Sequence, residues 1–530
     1  MSVNLLDRLI VLIFLLLVSF AIFGYLGKRP LFGVEGRWAE GAREMSLRGS
    51  NFVPTLNFEP HVTKPLLPFW LIKKSGELLG YSEFSVRLSG AILAFVSVFI
   101  FWRLSLKIFE APYAKLATFL YGSSLGFLQF VRLAQSEIYQ LTGLIIALTV
   151  YVYFREKKSL IGYLLFFFGL LIATLSKGLT AVAVLTLFVM IDILFHKLYF
   201  HFNPKAFLAL FLGVLLYFLP YYLTSQEMQT SLPFYLWFRE NLKQAVDPYD
   251  NLRPFYIYLY FWPLWLAPFS LFLLSALYKK IKNYSLLTRV EKVFLLSNLA
   301  IFILFAIAKA RRGYYILPIL PFSIILITLY IKRFTPTILP KIYTWGAFVI
   351  PLITLSSPLI LKSFGFTITF KLIFYTILFF LLQVGLLLLR TKISYPFLAI
   401  VLLYLSIEVL FFGLYQPHFS QSTEKEAGKF VKTLITEHKN LRLCAVSKEE
   451  GPVANFYFYA EIKEKVPLYR EEERALRECH VLILRKTLPP QVQEKARILN
   501  FIIRSFENRK EPSKSYYILY NSSTLNTPSL

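Results

Sequence analysis

Five charged side chains crowd one short segment near the N-terminus, directly after a long apolar run. The segment GVEGRWAEGAREM covers residues 33–45, and its charges are Glu35, Arg37, Glu40, Arg43 and Glu44. A carboxylate here can act as a general base, and a neighbouring arginine can hold it ionised. The ordinary alternative is a solvated helix face on which the glutamates pair with the arginines. The segment by itself leaves both interpretations open.

The apolar segments around these charges indicate the class of protein. The chain has 530 residues, of which 56% are hydrophobic and only 17% charged, whereas soluble domains are about a quarter charged. Apolar runs of roughly 18 residues or more, enough to cross ~30 Å of hydrocarbon, recur as far as about residue 415. The first has no small-residue cleavage pattern after it, which favours an uncleaved span over a signal peptide. About thirteen spans fit, at 8–27, 86–108, 113–131, 137–154, 160–175, 179–196, 206–223, 256–277, 291–308, 314–331, 341–361, 371–389 and 395–415.

The charge of the connections predicts the orientation. The net charge is +26, and loops on the cytoplasmic side of a membrane protein are enriched in Lys and Arg. With the N-terminus inside, the cytoplasmic connections are short and basic: REKK (155–158), FHKLYFHFNPK (195–205), YKKIKNYSLLTRVEK (278–292), KRFTPTILPK (332–341) and RTK (390–392). An odd number of spans then places the C-terminal tail outside.

A second set of basic residues falls on the outer side of this topology. They are Lys28, Arg29, Arg37, Arg43, Arg48, Lys64, Lys73, Lys74, Lys177, Arg253, Lys309, Arg311 and Arg312. Snorkelling explains a single lysine at the end of a span, such as Lys177 or Lys309. It does not explain why so many cations collect on one face. A phosphate held near the membrane surface suits them, because Arg binds it bidentately and Lys as a point charge.

Two polar loops enlarge the outer face. The first covers residues 28–85, and its segment VEGRWAEGAREMSLRG carries an apolar helical stripe of Val34, Trp38, Ala42 and Met45. This pattern predicts a helix lying in the membrane interface with its apolar face down and its charges up. The second polar loop is ENLKQAVDPYDNLRPF, at 240–255.

The tail changes character after the last span. Residues 416–520 alternate helical and strand-like segments, which predicts a small outer α/β domain beyond the transmembrane domain of 1–415. The segments STEKEAGKFVKTLITEHKN and PPQVQEKARILNFIIRSF are expected to be helices, and LRLCAVS, ANFYFYA, HVLILRK and SYYILY strands. Residues 521–530 are expected to be disordered. The tail holds the two cysteines, Cys444 and Cys479, which can pair in an oxidising compartment, although two cysteines more often simply pack.

Several motifs, taken in order, resemble those of a known superfamily. They are VEGRWAE, AREM, TKPLLPFW, GYSEFSVRLSGAI, RLAQSEIYQLTGLIIAL, LSKGLTA, FRENLKQ, LRPFYIYLYFWPLWLAPFS and KARRGYYILPILP. This series resembles the GT-C superfamily of polyprenyl-phosphate-sugar glycosyltransferases. Within it, the similarity is greatest to the bacterial branch of lipid A aminoarabinose transferases, related to protein O-mannosyltransferases. The resemblance covers about residues 5 to 400.

The resemblance implies a fold, a reaction and a set of residues. The fold is a polytopic α-helical membrane protein of GT-C type, with about 13 transmembrane helices, interfacial helices in the first outer loop and a small C-terminal α/β domain. The reaction moves a sugar from a polyprenyl (undecaprenyl) phosphate to an envelope acceptor such as lipid A, with inversion, at the periplasmic face of the bacterial inner membrane. A carboxylate handles the acceptor, while cations stabilise the leaving phosphate. The candidates are Glu35 and Glu137 as catalytic carboxylates, Lys64, Lys177, Arg311, Arg312 and Arg37 around the phosphate, and Trp38, Arg253, Tyr314 and Tyr315 lining the site.

The chain departs from the family pattern at two positions. Val34 stands where the family usually has an aspartate, so the base is Glu35, or Glu137, or is absent because the acceptor is itself a phosphate. Thr63 stands where an acid precedes the Lys-Pro step, and the histidine often seen in the fourth outer loop is missing. Some relatives bind a metal with that pair, so no cofactor is expected here. Glu59 and His61 leave a divalent metal possible but unsupported.

Other functions remain open from the sequence alone. The expected partners are the lipid-linked donor, a lipid or glycan acceptor and membrane lipids, with no nucleic acid. A protein O-glycosyltransferase of the same superfamily is the nearest alternative. A lipid-phosphate flippase or transporter is another, although no internal repeat of the required kind is visible. The substitution at Val34 keeps an inactive, binding-only relative possible.

Overall fold

The chain folds into two compact units. The computed structural model describes residues 3–248, 252–335, 337–438, 441–446, 453–508 and 511–521. The first unit combines Met1–Leu26, Thr63–Pro68 and Arg87–Phe419, and the second combines Gly27–Val62, Phe69–Val86 and Ser420–Leu530. The first outer loop therefore belongs mostly to the same unit as the C-terminal tail.

Long apolar helices dominate the first unit. Ten helices in the described part of the chain are long and apolar enough to cross a membrane, or eleven if one bent pair counts as a span. The ten are Leu5–Phe23, Glu83–Ile108, Ser136–Phe154, Leu160–Lys177, Pro204–Met228, Arg289–Ile307, Gly313–Phe334, Ile338–Ser363, Phe370–Lys392 and Phe397–Phe419. The chain is thus a multi-pass helical membrane protein.

The predicted number of thirteen spans is not confirmed, although each predicted span falls on helical structure. Three of them are not continuous helices of 18 residues or more. The segment 113–131 is divided into Ala111–Gly122 and Leu125–Phe130. Thr180–His196 has only 17 residues, and Ile257–Trp265 meets Ser270–Lys282 at an angle of 112°. Hydropathy reflects the length of an apolar segment but does not detect a break in the helix that the segment forms.

Polar residues fix where several of these helices begin and end. Ser159 caps the Leu160–Lys177 helix by accepting from the amide of Gly162. Thr288 and Glu291 form a reciprocal capping box at the start of the Arg289–Ile307 helix. Gly178 ends the Leu160–Lys177 helix with φ at +81°, a conformation that favours glycine.

Shorter elements connect the long helices. In the first unit they are Tyr199–His201, Leu232–Phe238, Arg239–Lys243, Gln244–Val246 and Tyr284–Leu286. The first outer loop is helical as predicted, with helices Glu35–Leu47 and Leu67–Leu79. Between these two helices lies a hairpin of β1 (Thr55–Leu56) and β2 (Glu59–Pro60).

The C-terminal part of the second unit is the predicted α/β domain. Its strands are β3 (Leu443–Val446), β4 (Leu468–Tyr469), β5 (Val481–Arg485), β6 (Phe501–Phe506) and β7 (Tyr516–Asn521). They form one sheet in the order β4-β3-β5-β7-β6. Strand β3 pairs in parallel with β4 and β5, and β7 pairs antiparallel with β5 and β6.

Helices cover both faces of this sheet. Neighbouring residues of a strand point to opposite sides, so each side packs on a different pair of helices. Val481 and Ile483 of β5 pack in a core with helices Thr423–Glu437 and Ala454–Ala460. Leu482 and Leu484 pack on the other face with helices Glu472–Glu478 and Pro490–Ile498. Strand β5 is therefore buried on both sides.

Three expectations about the tail are corrected. ANFYFYA is the helix Ala454–Ala460 rather than a strand; residues 455–460 are all buried, so no alternating exposed face exists. The expected helix 489–506 ends at Ile498, and its second half is strand β6, after Asn500 takes φ of +56°. The cysteines do not merely pack, since Cys444 and Cys479 form a disulfide. The tail expected to be disordered lies, from residue 522 on, outside the described residues.

Candidate functional site

A buried ion pair joins two of the predicted site residues. Lys177 is the last residue of the Leu160–Lys177 helix, and Glu137 lies in the first turn of Ser136–Phe154. The Lys177 Nζ atom lies 2.9 Å from Glu137 Oε1, with the two side chains 15% and 6% exposed. Two glycines allow these helices to approach: a Cβ on Gly143 or Gly169 would lie 2.5 Å or 2.6 Å from a backbone nitrogen of the other helix.

A second ion pair brings a distant segment to the same region. Lys64 Nζ lies 2.8 Å from Glu240 Oε2, and Glu240 Oε1 lies 3.2 Å from Arg239. Glu240 belongs to the short helix Arg239–Lys243. Its side chain is 12% exposed, whereas that of Lys64 is 35% exposed. Lys64 is therefore the more accessible partner.

Aromatic rings and an arginine complete the arrangement. Lys177 Nζ lies 4.9 Å from the ring centroid of Tyr314 and 5.0 Å from that of Tyr315. The Arg312 Nη1 atom donates to the Tyr314 hydroxyl at 2.8 Å. Lys64 and Arg312 are close enough for their like charges to act on the Lys177 ammonium. We call Lys64, Lys177 and Arg312, with the carboxylates Glu137 and Glu240, the cation cluster.

The cation cluster has the chemistry of an anion site. Its ammonium and guanidinium groups outnumber its carboxylates, and Arg239 adds another positive charge beside Glu240. Cations crowded at the end of membrane helices repel one another unless an anion joins them. A phosphate group supplies both the charge and the acceptor oxygens that such donors bind.

Arg311 and Arg253 are arranged differently from the cation cluster. The Arg311 guanidinium donates to the carbonyl oxygens of Arg253, at 2.7 Å, and Ala306, at 2.8 Å. The Arg253 side chain is exposed. Arg311 thus stabilises the end of the Arg289–Ile307 helix. The phosphate-binding role of Arg311 and the lining role of Arg253 stay predictions.

Sequence reasoning did not single out Glu240 or its neighbour Asn241. Asn241 Oδ1 accepts from the Leu179 amide at 2.9 Å, and its Nδ2 donates to the Trp237 carbonyl at 3.0 Å. A Cβ on Gly178 would lie 2.2 Å from Asn241 Oδ1. Asn241 therefore connects the Arg239–Lys243 segment to the turn that follows Lys177. The polar run FRENLKQ within an aromatic neighbourhood was the available signal.

The remaining predicted site residues lie in the second unit. Glu35 is fully buried at the start of the Glu35–Leu47 helix, and its Oε2 accepts from the Phe32 amide at 2.8 Å. Arg37 is half-buried, and the Trp38 ring lies 4.6 Å from that of Phe69. The two candidate bases, Glu35 and Glu137, thus belong to different units.

The expected upward-facing charges of the Glu35–Leu47 helix are in fact buried. Glu40 accepts two hydrogen bonds from Arg43, at 2.6 and 2.7 Å, and Arg43 also donates to the Ile462 carbonyl at 2.6 Å. Glu44 accepts from the Thr55 hydroxyl at 2.5 Å and the Phe58 amide at 2.9 Å. Burial raises the pKa of Glu40 to about 7, although its bonds to Arg43 act in the opposite direction. The helix is covered because the C-terminal domain packs on it.

Comparison with known proteins relates this chain to transferases of lipid-linked sugars. A family model described as dolichyl-phosphate-mannose-protein mannosyltransferase matches residues 63–223. The chain is 25% identical over 295 residues to the undecaprenyl phosphate-alpha-4-amino-4-deoxy-L-arabinose arabinosyl transferase of Photorhabdus laumondii, covering 54% of this chain and 52% of that protein. It is 26% identical over 357 residues to the Serratia proteamaculans protein of the same name, covering 63% and 62%. The chain spans about half to three fifths of these relatives' length.

A solved structure matches nearly the whole chain. The crystal structure of ArnT from Cupriavidus metallidurans bound to undecaprenyl phosphate superposes with a TM-score of 0.75 at 16% identity, covering 98% of this chain and 99% of that one. At this identity the match establishes the fold. The resemblance to the GT-C superfamily and its aminoarabinose transferase branch is confirmed, and so is the GT-C fold with its small α/β domain.

Proposed function

We propose that the chain is an inverting glycosyltransferase that takes a sugar from polyprenyl phosphate. The observation that carries the proposal is the cation cluster: two lysines held on carboxylates beside Arg312 and two tyrosine rings. Fixed cations lower the free energy of a transition state in which negative charge builds on a leaving phosphate. The relatives' names, which specify an undecaprenyl-phosphate-linked sugar, agree with this chemistry.

In the proposed reaction an acceptor oxygen attacks the anomeric carbon opposite the phosphate. The new carbon–oxygen bond forms as the bond to the phosphate oxygen breaks, and the bonding electrons leave with the phosphate. Lys64, Lys177 and Arg312 bind that phosphate. A carboxylate takes the acceptor's proton. Glu137 is our first assignment for it, because it contacts Lys177 directly, and Glu35 is the alternative.

The proposed site faces the periplasm of the bacterial inner membrane. The basic connections that contain Lys157, Lys197 and Lys332 suit the cytoplasmic side. The disulfide between Cys444 and Cys479 suits an oxidising compartment for the C-terminal domain. Both features support the same orientation.

The proposed acceptor is an envelope lipid such as lipid A. This choice follows the branch of relatives whose names specify 4-amino-4-deoxy-L-arabinose. A protein hydroxyl is the second candidate, and the matched family model, described as a protein mannosyltransferase, favours it.

Purified protein incubated with radiolabelled undecaprenyl-phosphate-sugar and lipid A tests the proposal. We expect label to move to the lipid with inverted anomeric configuration. The same protein in vesicles, with donor in one leaflet and no acceptor, tests the flippase alternative. Transbilayer movement without transfer contradicts the proposal, and so does donor binding that never leads to transfer with lipid, glycan or protein acceptors.

A further inference from the structure

A cavity lies at the end of the helix bundle away from the cation cluster. It has a volume of about 210 Å³ and lies where the Ser136–Phe154 helix ends and the Leu160–Lys177 helix begins. One of its lining residues, Tyr163, is about 14 residues from Lys177 on the same helix, which is roughly 20 Å at 1.5 Å per residue. The two sites are therefore separate.

The cavity opens towards hydrocarbon. Its lining is mainly apolar and includes Phe166 and three exposed residues, Met190, Phe202 and Phe207. Phe207 belongs to the Pro204–Met228 helix, a candidate span of which only 17% is buried within the protein. Exposed apolar side chains on such a helix face lipid. A lipid tail therefore has direct access to the cavity.

A chain of hydrogen bonds joins the two connections beside the cavity. Asn203 Nδ2 donates to the Tyr163 hydroxyl at 2.9 Å, and that hydroxyl lies 2.8 Å from His201 Nδ1. His201 Nε2 lies 2.6 Å from the Arg155 carbonyl, which only accepts, so Nε2 carries the proton and Nδ1 accepts from Tyr163. Burial lowers the pKa of His201, consistent with this neutral form.

A buried carboxylate also accepts a hydrogen bond from the side chain of Arg155. Asp192, 1% exposed, accepts from the Tyr151 hydroxyl at 2.9 Å and from Arg155 Nη1 at 3.3 Å. Both donors also line the cavity. The wall of the cavity is thus held in place by hydrogen bonds within the protein, before any ligand arrives.

The two connections beside the cavity are basic. The connections 155–158 and 197–205 carry four exposed lysines and one glutamate, Glu156; the lysines are Lys157, Lys158, Lys197 and Lys205. The negative charge of Asp192 is already matched by Arg155. The lysines therefore leave a local excess of positive charge beside an apolar cavity open to lipid.

We propose that this cavity is a second lipid site, occupied by one acyl chain of an anionic phospholipid whose phosphate contacts the lysines of these two connections. An apolar cavity of ~150 Å³ holds a benzene ring, so this one has room for a short stretch of acyl chain. Basic pockets between membrane helices are typical sites for anionic headgroups. In the proposed orientation the lipid belongs to the cytoplasmic leaflet.

Native mass spectrometry of the detergent-purified protein tests this site. The protein is offered equal amounts of phosphatidylglycerol and phosphatidylethanolamine with identical acyl chains. We expect a single phosphatidylglycerol adduct to dominate. Ala206→Trp, which fills the cavity, should remove the adduct; Leu210→Trp, at a more exposed lining position, provides a second test that does not depend on the first variant folding. Leu216→Trp, on the same helix but outside the cavity, is the control.

Variants that remove a positive charge distinguish the contribution of the lipid headgroup to binding from that of the lipid tail. Replacing Lys158 and Lys205 by glutamine should reduce the preference for phosphatidylglycerol by about fivefold per lysine, and Lys341→Gln, in another basic connection, should not. Equal binding of the two lipids, or a preference that survives both cavity-filling variants, overturns the proposal. Displacement of the adduct by undecaprenyl phosphate also overturns it, because the cavity then holds the donor's tail.

Discussion

At the scale of residues, each lysine of the cation cluster is held by a carboxylate. Lys64 contacts Glu240, and Lys177 contacts Glu137. These pairs keep the ammonium groups oriented in a partly desolvated site, where an unpaired charge is costly. In the proposed reaction, a donor phosphate that binds here competes with carboxylates already in place. The cations are therefore positioned before the substrate arrives.

The first prediction concerns the phosphate contacts. Lys64→Ala and Arg312→Ala should each weaken donor binding or slow transfer by roughly tenfold or more, because a charged hydrogen bond contributes ~1.5–3 kcal/mol. Lys332→Ala removes an exposed cation that pairs with Glu110 on the surface and should change neither quantity. Steady-state kinetics with varied donor concentration measure both. Equal, mild effects in all three variants would mean that the cluster does not bind phosphate.

The second prediction identifies the base. Glu137→Gln preserves the shape and removes the charge, so it should lower the rate by about a hundredfold or more if Glu137 is the base. Glu35→Gln can still accept from the Phe32 amide and should then keep most of the activity. Glu110→Gln, at an exposed position, is the control. If Glu35→Gln is inactive and Glu137→Gln is active, the assignment is reversed. Activity in both would indicate an acceptor that is already ionised.

At the scale of elements, one turn links the two ion pairs. Gly178 ends the Lys177 helix with a positive φ. The Asn241 side chain accepts from the Leu179 amide in this turn and donates to the Trp237 carbonyl in its own segment. The Arg239–Lys243 segment that carries Glu240 is thereby tied to the end of the Lys177 helix. Displacement of this turn would move Lys177 and Glu240 relative to each other.

The third prediction tests this turn. Asn241→Ala removes both hydrogen bonds without touching a charge, so it should lower kcat by about tenfold, the scale on which a small misplacement of catalytic groups acts. Asn241→Asp keeps the acceptor for the Leu179 amide and should recover part of the loss. Gln229→Ala, at an exposed helix end, provides the control. An Asn241→Ala protein with normal kcat would show that the turn does not position the cluster.

A second element-scale prediction concerns Glu40. Its folded pKa of about 7 lies above the ordinary value of 4.5, so the folded state binds this proton more tightly than the unfolded state. The stabilisation is complete below about pH 4.5 and is lost as the pH rises through 7. We expect the second unit to lose on the order of 1–3 kcal/mol between pH 5 and pH 8 from this group. Thermal unfolding across this range measures the loss.

Glu40→Gln should flatten that pH dependence, since the amide is always neutral. Glu494→Gln, an exposed position of the same unit, should leave it unchanged. A stability that is constant from pH 5 to pH 8 in the unsubstituted protein would mean that Arg43 keeps Glu40 ionised throughout.

At the scale of the whole molecule, the proposed orientation rests on the charge of the connections. The fifth prediction is that the chain after residue 416 lies outside the cytoplasm. A reporter that is active only in the cytoplasm should be silent when fused after residue 420 and active when fused within 390–392. Strong activity of the fusion at 420 would overturn the number of crossings and the sidedness of the site together.

The apolar segments, their order and the residue types proposed for the site could be predicted from the sequence itself. Apolar length is a local property, and the thickness of hydrocarbon selects it directly. The types of Lys64, Lys177 and Arg312, and their places at the ends of apolar segments, were enough to indicate an anion site. The strands that contain Cys444 and Leu482 could be predicted because they are short runs of apolar residues.

Only the tertiary structure decided which groups meet. Lys64 pairs with Glu240, 176 positions away, and no local pattern indicates such a contact. The charged Glu35–Leu47 helix resembles a surface helix in composition, yet Arg43 reaches the Ile462 carbonyl, 419 positions away. The helix 454–460 has the composition of a strand but packs as a helix. In each case burial by distant residues outweighs local preference, because the free energy of packing depends on partners that the neighbouring sequence does not contain.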